Sequence, residues 1–338
     1  MRRPLASAGL FLMWVVLTAS PALADPPGPT DYQSEVVEIE PAVAGIEVEV
    51  VGGDSFFLLT VEPGLTVEVA GYRGEPYLRF LPAGTVEENQ NAPSKYTNED
   101  RFGRSELPDG VDATASPDWR VVSSDGSFAW HDHRTHWMST EPKPGSARGD
   151  VILEAVVPLV VDGTEVLVHV RSTWVHPPSR WPPLSGAAIG VLVVAGASRL
   201  GRRHLGWIAA LWALAAAALA IGVAQVASLP PETGPSPTLW ALPAAAIGLS
   251  ALSFALSSPG LRVAMVVLGC VPLAWWSLTR FDGLTRPILP TDAPFGLDRF
   301  VTAAALSGAA AAAVVGLWRL AQAVTSEPVV ASVNFDGR

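Results

Sequence analysis

The sequence predicts an all-β exported domain, a β-sandwich of immunoglobulin-like or related Greek-key type, followed by an α-helical transmembrane bundle of about five spans. Hydrophobic residues make up 49% of the 338-residue chain and charged residues only 16%, which is too apolar for an ordinary soluble protein. The apolar residues are also segregated. They alternate with polar residues before residue 180 and form long uninterrupted runs after it.

The first 24 residues have the form of a secretory signal peptide. Arg2 and Arg3 precede an apolar run, and the small residues of Ala22-Leu23-Ala24 suit a cleavage site. We therefore expect residues 25–180 to form the exported domain. The one cysteine, Cys270, lies in the apolar half, so the exported part has no disulfide and no thiolate ligand.

The exported domain shows the period-two pattern of half-buried strands. In residues 46–50 valine or isoleucine alternates strictly with glutamate, and a glycine-rich turn follows. The other predicted strands are residues 55–61, 65–69, 76–80, 119–123, 127–138, 151–159 and 165–175. Asp162-Gly163 predicts the turn between the last two. This number of short strands fits a sandwich.

One long segment, residues 84–119, interrupts the strand pattern because it is polar and poor in aliphatic residues. Loops of this length are either disordered or functional. Tyr96, Asn98, Asp100 and Arg101 give this polar loop side chains that can pack and hydrogen-bond locally. We therefore expect an ordered loop over the sandwich.

Five apolar runs follow a proline-rich stretch at residues 176–184, and each is close to the roughly 20 residues that cross a bilayer as a helix. They cover residues 184–200, 205–229, 239–256, 261–278 and 300–320. Their centres contain no ionisable residue and offer no axial histidine, so we expect no haem and no transport activity. Residues 181–323 are predicted to form an anchor or partner-binding bundle, and residues 324–338 a cytoplasmic tail.

Charges between the spans predict the orientation. Arg199, Arg202 and Arg203 follow the first span, whereas the loop after the second span has Glu232 and no Lys or Arg. Basic residues concentrate in cytoplasmic loops. We therefore expect a multi-pass protein of the cell membrane with an extracytoplasmic N-terminal domain and a cytoplasmic C-terminus.

The exported domain is strongly acidic. Residues 25–180 contain 26 acidic and 11 basic residues, a net charge of −15 with histidines neutral. Such a surface repels nucleic acid and attracts cations, although an acidic composition also serves solubility alone. The expected partners are the membrane itself and a membrane or envelope protein. We expect neither nucleic acid nor a nucleotide.

The stretch WHDHRTHWM, Trp130 to Met138, concentrates possible metal ligands. If it continues a strand, His131 and His133 project from one face, because side chains two residues apart share a face. The candidate ligands in the whole domain are His131, His133, His136, Met138, His169 and His176. Imidazole and thioether donors without thiolates suit copper, or zinc with added carboxylates.

The same stretch also supports a hydrogen-bonded network without a metal. Arg134 places a positive charge among the imidazoles and opposes a bound cation unless Asp132 neutralises it. Such a network would join the stretch to the polar loop and form a recognition surface. The residues of that surface would be Trp130, Asp132, Arg134, Trp137, Tyr96, Asn98, Asp100 and Arg101.

An enzyme is the third interpretation. Three serines, at 123, 124 and 127, lie close to His131, but there is no GxSxG motif, and zinc held by three imidazoles would need a pocket that the sequence does not show. The sequence favours a binding protein that handles or senses copper or zinc. Recognition of a partner protein or envelope component is the alternative, and a zinc-dependent envelope enzyme is favoured least.

Two runs resemble a group of uncharacterised membrane proteins from actinobacteria. They are GYRGEPYLRFLPAGTVEENQNAPSKYTNEDRFG, residues 71–103, and AWHDHRTHWMS, residues 129–139. Those proteins share a signal peptide, an exported domain and a C-terminal helical bundle. The positions that the resemblance assigns to a common pattern are Tyr72, Glu75, Pro76, Tyr77, Arg79, Tyr96, Asn98, Asp100, Arg101 and residues 131–138. The resemblance implies that the polar loop and the histidine stretch form one surface, and it implies no activity.

Overall fold

The computed structural model describes residues 27–200 and 205–325. The predicted signal peptide, the loop that contains Arg202 and Arg203, and residues 326–338 of the predicted tail lie outside the described residues. The chain forms two compact units. The first extends to Pro178 and includes Ala224–Pro237 and Thr285–Phe295, and the second contains the remaining helical residues.

The first unit is built from β-strands. Those in its described part are β1 (Tyr32–Glu40), β2 (Ile46–Val51), β3 (Phe56–Val61), β4 (Val67–Ala70), β5 (Pro76–Phe80), β6 (Val86–Asn89), β7 (Trp119–Ser123), β8 (Ser127–Trp130), β9 (Val151–Val161) and β10 (Thr164–Trp174). One short helix, α1 (Pro93–Thr97), lies in the polar loop.

The strands form two antiparallel sheets. The order in the larger sheet is β1-β10-β9-β4-β5-β6-β7, and the order in the smaller sheet is β2-β3-β8. Both sheets contribute to one hydrophobic core, in which Leu59 of β3, Val67 of β4 and Val168 of β10 are fully buried. The predicted all-β sandwich is confirmed.

Alternation along β9 and β10 explains how these strands position their side chains. In β10, Val166, Val168 and Val170 are buried, while His169 between them is half-buried on the other face. The two strands are joined at Asp162, which has a φ of 47°. The hairpin predicted from Asp162-Gly163 is therefore confirmed.

β8 is shorter than predicted. The pattern indicated a strand over residues 127–138, but the strand ends at Trp130. The carbonyl of Asp132 accepts hydrogen bonds from the backbone N–H and the hydroxyl of Thr135, at 2.9 and 2.8 Å. These local bonds form a turn and so compete with a strand ladder. The prediction that residues 131–138 form a strand is wrong.

The second unit consists of apolar helices. They are α2 (Trp181–Leu200), α3 (Leu205–Ala227), α4 (Thr238–Ala251), α5 (Pro259–Thr279) and α6 (Phe295–Thr325). Five segments, Trp181–Arg199, Leu205–Ala227, Thr238–Ala255, Pro259–Thr279 and Phe295–Gln322, are long and apolar enough to cross a membrane. This agrees with the five predicted spans and supports a multi-pass membrane protein.

Small residues allow these helices to pack closely. A Cβ added at Gly186 would meet the backbone of Phe300, and one added at Gly190 would meet the backbone of Ala304. Gly186 and Gly190 therefore bring α2 against α6 at a GxxxG spacing. Between α4 and α5, the indole N–H of Trp276 donates to the carbonyl of Leu239 at 2.8 Å.

Candidate functional site

The histidine segment, residues 131–138, begins where β8 ends and is organised around Asp132. This carboxylate is fully buried. It accepts hydrogen bonds from the indole N–H of Trp130 at 3.0 Å and from the backbone N–H of Arg134 at 3.0 Å. The guanidinium of Arg134 adds two more, from Nε at 2.8 Å and Nη2 at 2.7 Å. Asp132 therefore neutralises Arg134 through a two-pronged ion pair.

The ion pair keeps Asp132 charged inside the protein. Burial acts to raise the pKa of Asp132, but the hydrogen bonds and the charge of Arg134 outweigh it and leave the pKa below its ordinary value. Arg134 is further fixed over the ring of Tyr72, 5.1 Å from the ring centre. Because the two charges neutralise each other, neither is available to bind an added ligand.

His131 faces the interior. It is 2% exposed, its ring stacks on Phe56 with centroids 4.2 Å apart, and its Nδ1 lies 2.5 Å from the carbonyl oxygen of Ser55. Because a carbonyl can only accept, Nδ1 carries the proton and donates it.

His133 is held by the polar loop instead. Its Nε2 donates to the carbonyl of Asp100 at 3.0 Å, and its ring stacks on Tyr72 with centroids 5.6 Å apart. The backbone N–H of His133 donates to the hydroxyl of Tyr72 at 2.8 Å, and that hydroxyl in turn donates to the amide oxygen of Asn98. His131 and His133 thus bond to carbonyls of different segments, and the shared face predicted for them does not form.

His136 has a free acceptor. The side chain is buried, and its Nδ1 donates to the carbonyl of Trp137 at 3.3 Å. Its Nε2 is buried and has no hydrogen-bond partner in the part of the chain that the structure describes. The rings of His133 and His136 meet edge to face with centroids 5.5 Å apart. Burial, and after it the charge of Arg101, lowers the pKa of His136 to about 3.

The other candidate ligands lie on different elements. Met138 is 38% exposed, and His176 is exposed beside Gly149. His169 pairs with Glu38 of β1 and with the backbone of β9 on the larger sheet. Among residues 27–200 and 205–325, no group of three or more His, Cys, Asp or Glu side chains is arranged to hold a metal ion.

A buried carboxylate, Glu75, holds the short helix of the polar loop. Glu75 is 4% exposed and accepts from the backbone N–H of Ser94 at 3.2 Å and from its hydroxyl at 2.5 Å. It also accepts from the backbone N–H of Arg73 at 2.9 Å. Glu75 therefore binds the first turn of α1. A Cβ at Gly71 would meet Glu75 and Ser94, so only glycine fits this close approach.

A second buried ion pair joins the loop to the turn between β2 and β3. Nη2 of Arg101 lies 2.5 Å from Oδ2 of Asp54, whose side chain is fully buried. Thr30 donates to the same carboxylate oxygen at 3.3 Å. Burial raises the pKa of Asp54 and the charge of Arg101 opposes that shift. No sequence pattern indicated this role for Asp54, which is notable there only for its place in a glycine-rich turn.

The remaining predicted surface residues have local partners. The hydroxyl of Tyr96 donates to the carbonyl of Gln90 at 3.0 Å, and the indole N–H of Trp137 donates to the carbonyl of Glu141 at 2.7 Å. Trp130 is 4% exposed and belongs to the core.

No family model, curated protein or solved structure matches the chain.

Proposed function

We propose that the chain is a membrane-anchored binding protein whose β-sandwich recognises a partner protein or envelope component on the extracytoplasmic side. The recognition surface would consist of residues 95–104 of the polar loop and the histidine segment. One observation carries this proposal: the hydroxyl of Tyr72 bonds both Asn98 and the backbone of His133, so the two segments are one hydrogen-bonded unit.

The energetics of the buried ion pairs support recognition over simple stabilisation. Asp132–Arg134 and Asp54–Arg101 each take a carboxylate fully out of water. Buried pairs of this kind often contribute no more stability than apolar side chains of similar volume would. What they do supply is a single geometry for two segments that have little regular secondary structure. A surface fixed before binding loses less conformational entropy when a partner binds.

Two loops support the orientation. Ala224–Pro237 and Thr285–Phe295 belong to the same compact unit as the β-sandwich, so all three would lie on one side of the membrane. Arg199 lies at the end of the first span and Arg262 near the start of the fourth. These are the span ends that do not connect to the β-sandwich or to the two loops. By the tendency of basic residues to remain cytoplasmic, the β-sandwich would lie outside.

Site-specific photocrosslinking in membranes of the native host tests the recognition surface. A photoreactive residue at Met138 or at Arg104, both exposed, should give one discrete adduct, whereas the exposed control position Glu165 on β10 should not. His133→Ala should remove the adduct, because it removes the hydrogen bond from the imidazole to the carbonyl of Asp100 that joins the two segments. Identical adducts from Glu165, or none from Met138 and Arg104, would refute the proposal.

Metal handling is the second candidate, and His136 favours it. Its Nε2 offers an unpartnered lone pair within the described residues, beside the ring of His133. Imidazole nitrogens suit copper and zinc. Two features oppose it: Nε2 of His133 already bonds Asp100, and the charge of Arg101 lowers the pKa of His136 as it would weaken a bound cation.

Calorimetry on the full chain in dodecyl maltoside decides this second candidate. Zn(II), Cu(II) and Cu(I) would each be titrated into the wild type, His136→Gln and the control His176→Gln, whose imidazole is exposed. Metal handling requires micromolar or tighter binding that His136→Gln abolishes and His176→Gln preserves. Weaker binding, or equal loss in both variants, would exclude it.

A further inference from the structure

A cavity of about 490 Å³ opens beside the histidine segment, between β7 and β8. β7 ends the larger sheet and β8 ends the smaller one, so the cavity lies where the two sheets of the sandwich separate. Its aromatic lining includes Tyr77, Phe128 and Trp130. A volume of this size is within the range of small-molecule sites.

Two carboxylates on the cavity wall, Glu88 and Glu232, form no direct ion pair among the described residues. Glu88 accepts a hydrogen bond from the side-chain amide of Gln90 at 3.2 Å, and Oε2 of Glu232 is buried with no hydrogen-bond partner among the described residues. Neither forms an ion pair within that part of the chain. The cavity's one lysine, Lys95, lies 3.0 Å from Glu99 and also lowers the pKa of Glu88 through its charge, so one cation faces three carboxylates. The wall therefore carries unbalanced negative charge.

Partial burial makes this negative charge costly. Removal from water raises the pKa of both Glu88 and Glu232 above the ordinary value. A cation in the cavity would restore the electrostatic stabilisation that water no longer provides.

We propose that this cavity binds an organic cation, a ligand group with a quaternary or protonated amine. Aromatic rings attract cations through their negative faces, and the two carboxylates supply the opposite charge. An anion would meet a domain with a net charge of −15, counted over residues 25–180. An uncharged apolar ligand would leave Oε2 of Glu232 without a hydrogen-bond partner and the negative charge of the wall unbalanced.

The proposal deepens the proposed function and rests on it. Trp130 and His131 line the cavity, and the histidine segment begins at His131. The cation would therefore be part of the component that the recognition surface binds. That component would carry a quaternary or protonated amine.

Choline and its uncharged isostere 3,3-dimethylbutan-1-ol provide the test. Both would be titrated into the full chain in dodecyl maltoside and followed by ligand-observed NMR. Choline should bind at least about tenfold more tightly, since the two ligands share a shape and differ in charge. Equal affinities, or no saturable binding of choline, would overturn the proposal.

Variants that leave the core intact locate the binding. Val121 is 61% exposed at the cavity mouth, so Val121→Lys adds a repelling charge without disturbing packing. Val121→Lys and Glu232→Gln should each weaken choline binding by at least about fivefold. The matched control is Val160→Lys, an exposed valine of β9 outside the cavity, which should have no effect. Unchanged binding in Val121→Lys would also overturn the proposal.

Two further comparisons separate the possible outcomes. If a lipid headgroup supplies the cation, choline should bind more weakly to the chain in phosphatidylethanolamine vesicles, because that headgroup competes for the cavity. Phosphatidylglycerol vesicles should show no such competition. Absence of competition in both assigns the site to a free cation. If the Met138 adduct forms but choline shows no preference, only the cation fails. If choline is preferred but no adduct forms, only the partner surface fails.

Discussion

Asp132 holds its position because four hydrogen bonds surround a carboxylate from which water is excluded. The arrangement answers the main objection to the histidine segment as a cluster of ligands, because the charge of Arg134 is fully matched. It does so by using the carboxylate that a metal would have needed. His131 and His133 likewise donate to carbonyls. The segment is a network of bonded side chains that contains one buried polar atom without a partner, Nε2 of His136.

Asp132→Asn should destabilise the β-sandwich by about 3 kcal/mol, because it leaves the charge of Arg134 buried without a partner. The double variant Asp132→Leu with Arg134→Met removes both charges and should cost less. Thermal unfolding of the full chain, followed by near-ultraviolet circular dichroism, measures both. A double variant that is less stable than Asp132→Asn would contradict the assignment of the cost to an unpaired charge.

His136 should make the sandwich less stable in acid. Its folded pKa is about 3, whereas an unfolded histidine has a pKa of about 6.5, so the unfolded state binds more protons between these values. Stability should therefore fall as the pH decreases from about 6.5 to 4.5. His136→Gln should give a shallower dependence of the unfolding temperature on pH, and His176→Gln the same dependence as the wild type. Equal slopes in all three proteins would refute this.

The sequence identified the histidine segment and the possible neutralisation of Arg134 by Asp132. It placed His131 and His133 on one face because it could not show that the strand ends at Trp130. That end depends on bonds between Asp132 and Thr135, which a period-two pattern does not reveal. Asp54 was missed because its partner, Arg101, lies 47 residues away.

The short helix α1 depends on contacts with other parts of the chain. Five residues are too few to form a stable helix alone. Its first turn is bound by Glu75 from another part of the chain, and its end is joined to Tyr72 through Asn98. The order of the polar loop therefore comes from tertiary contacts.

Glu75→Ala should cost about 1–2 kcal/mol and increase amide hydrogen exchange over residues 93–98, because it removes the acceptor for the first turn of α1. Glu99→Ala is the matched control. It breaks only the partly exposed pair with Lys95, which contributes about 0.5 kcal/mol or less. Equal exchange in the two variants would show that Glu75 does not hold the helix.

Strand prediction succeeded for alternating runs and for short, mostly apolar runs, and it failed for polar or bulged strands. Residues 46–50 and 76–80 were predicted almost to the residue. β6 was missed because three of its four residues are polar, and β1 because a bulge between Val36 and Glu38 shifts its register against β10. The apolar helices were predicted closely because their length and composition leave few alternatives.

At the scale of the whole chain, the boundary predicted at residue 180 is close to the observed one at Pro178. The sequence did not reveal that two loops between helices belong to the β unit. Thr30 and Ile288 form an isolated β-bridge, and Arg286 pairs with Asp31 at 2.5 Å. These contacts join residues more than 250 positions apart, beyond the reach of any local pattern.

The proposed orientation predicts the accessibility of single cysteines. In a Cys270→Ala background, Met138→Cys should react with a membrane-impermeant maleimide in intact cells. Ser257→Cys, between α4 and α5, should react only after the cells are permeabilised, because that loop is proposed to be cytoplasmic. Both residues are exposed, so a difference reports membrane side and not burial. The reverse pattern would invert the orientation.

The coupling between the polar loop and the histidine segment can be measured by amide hydrogen exchange on the full chain carrying Tyr72→Phe. This change removes the one hydroxyl that bonds both Asn98 and His133 and keeps the ring. Exchange should rise together in residues 93–103 and 131–136, and Tyr96→Phe, whose hydroxyl bonds only Gln90 within the loop, should leave residues 131–136 unchanged. If Tyr72→Phe changes neither segment, or only one of them, the two do not form a single recognition surface.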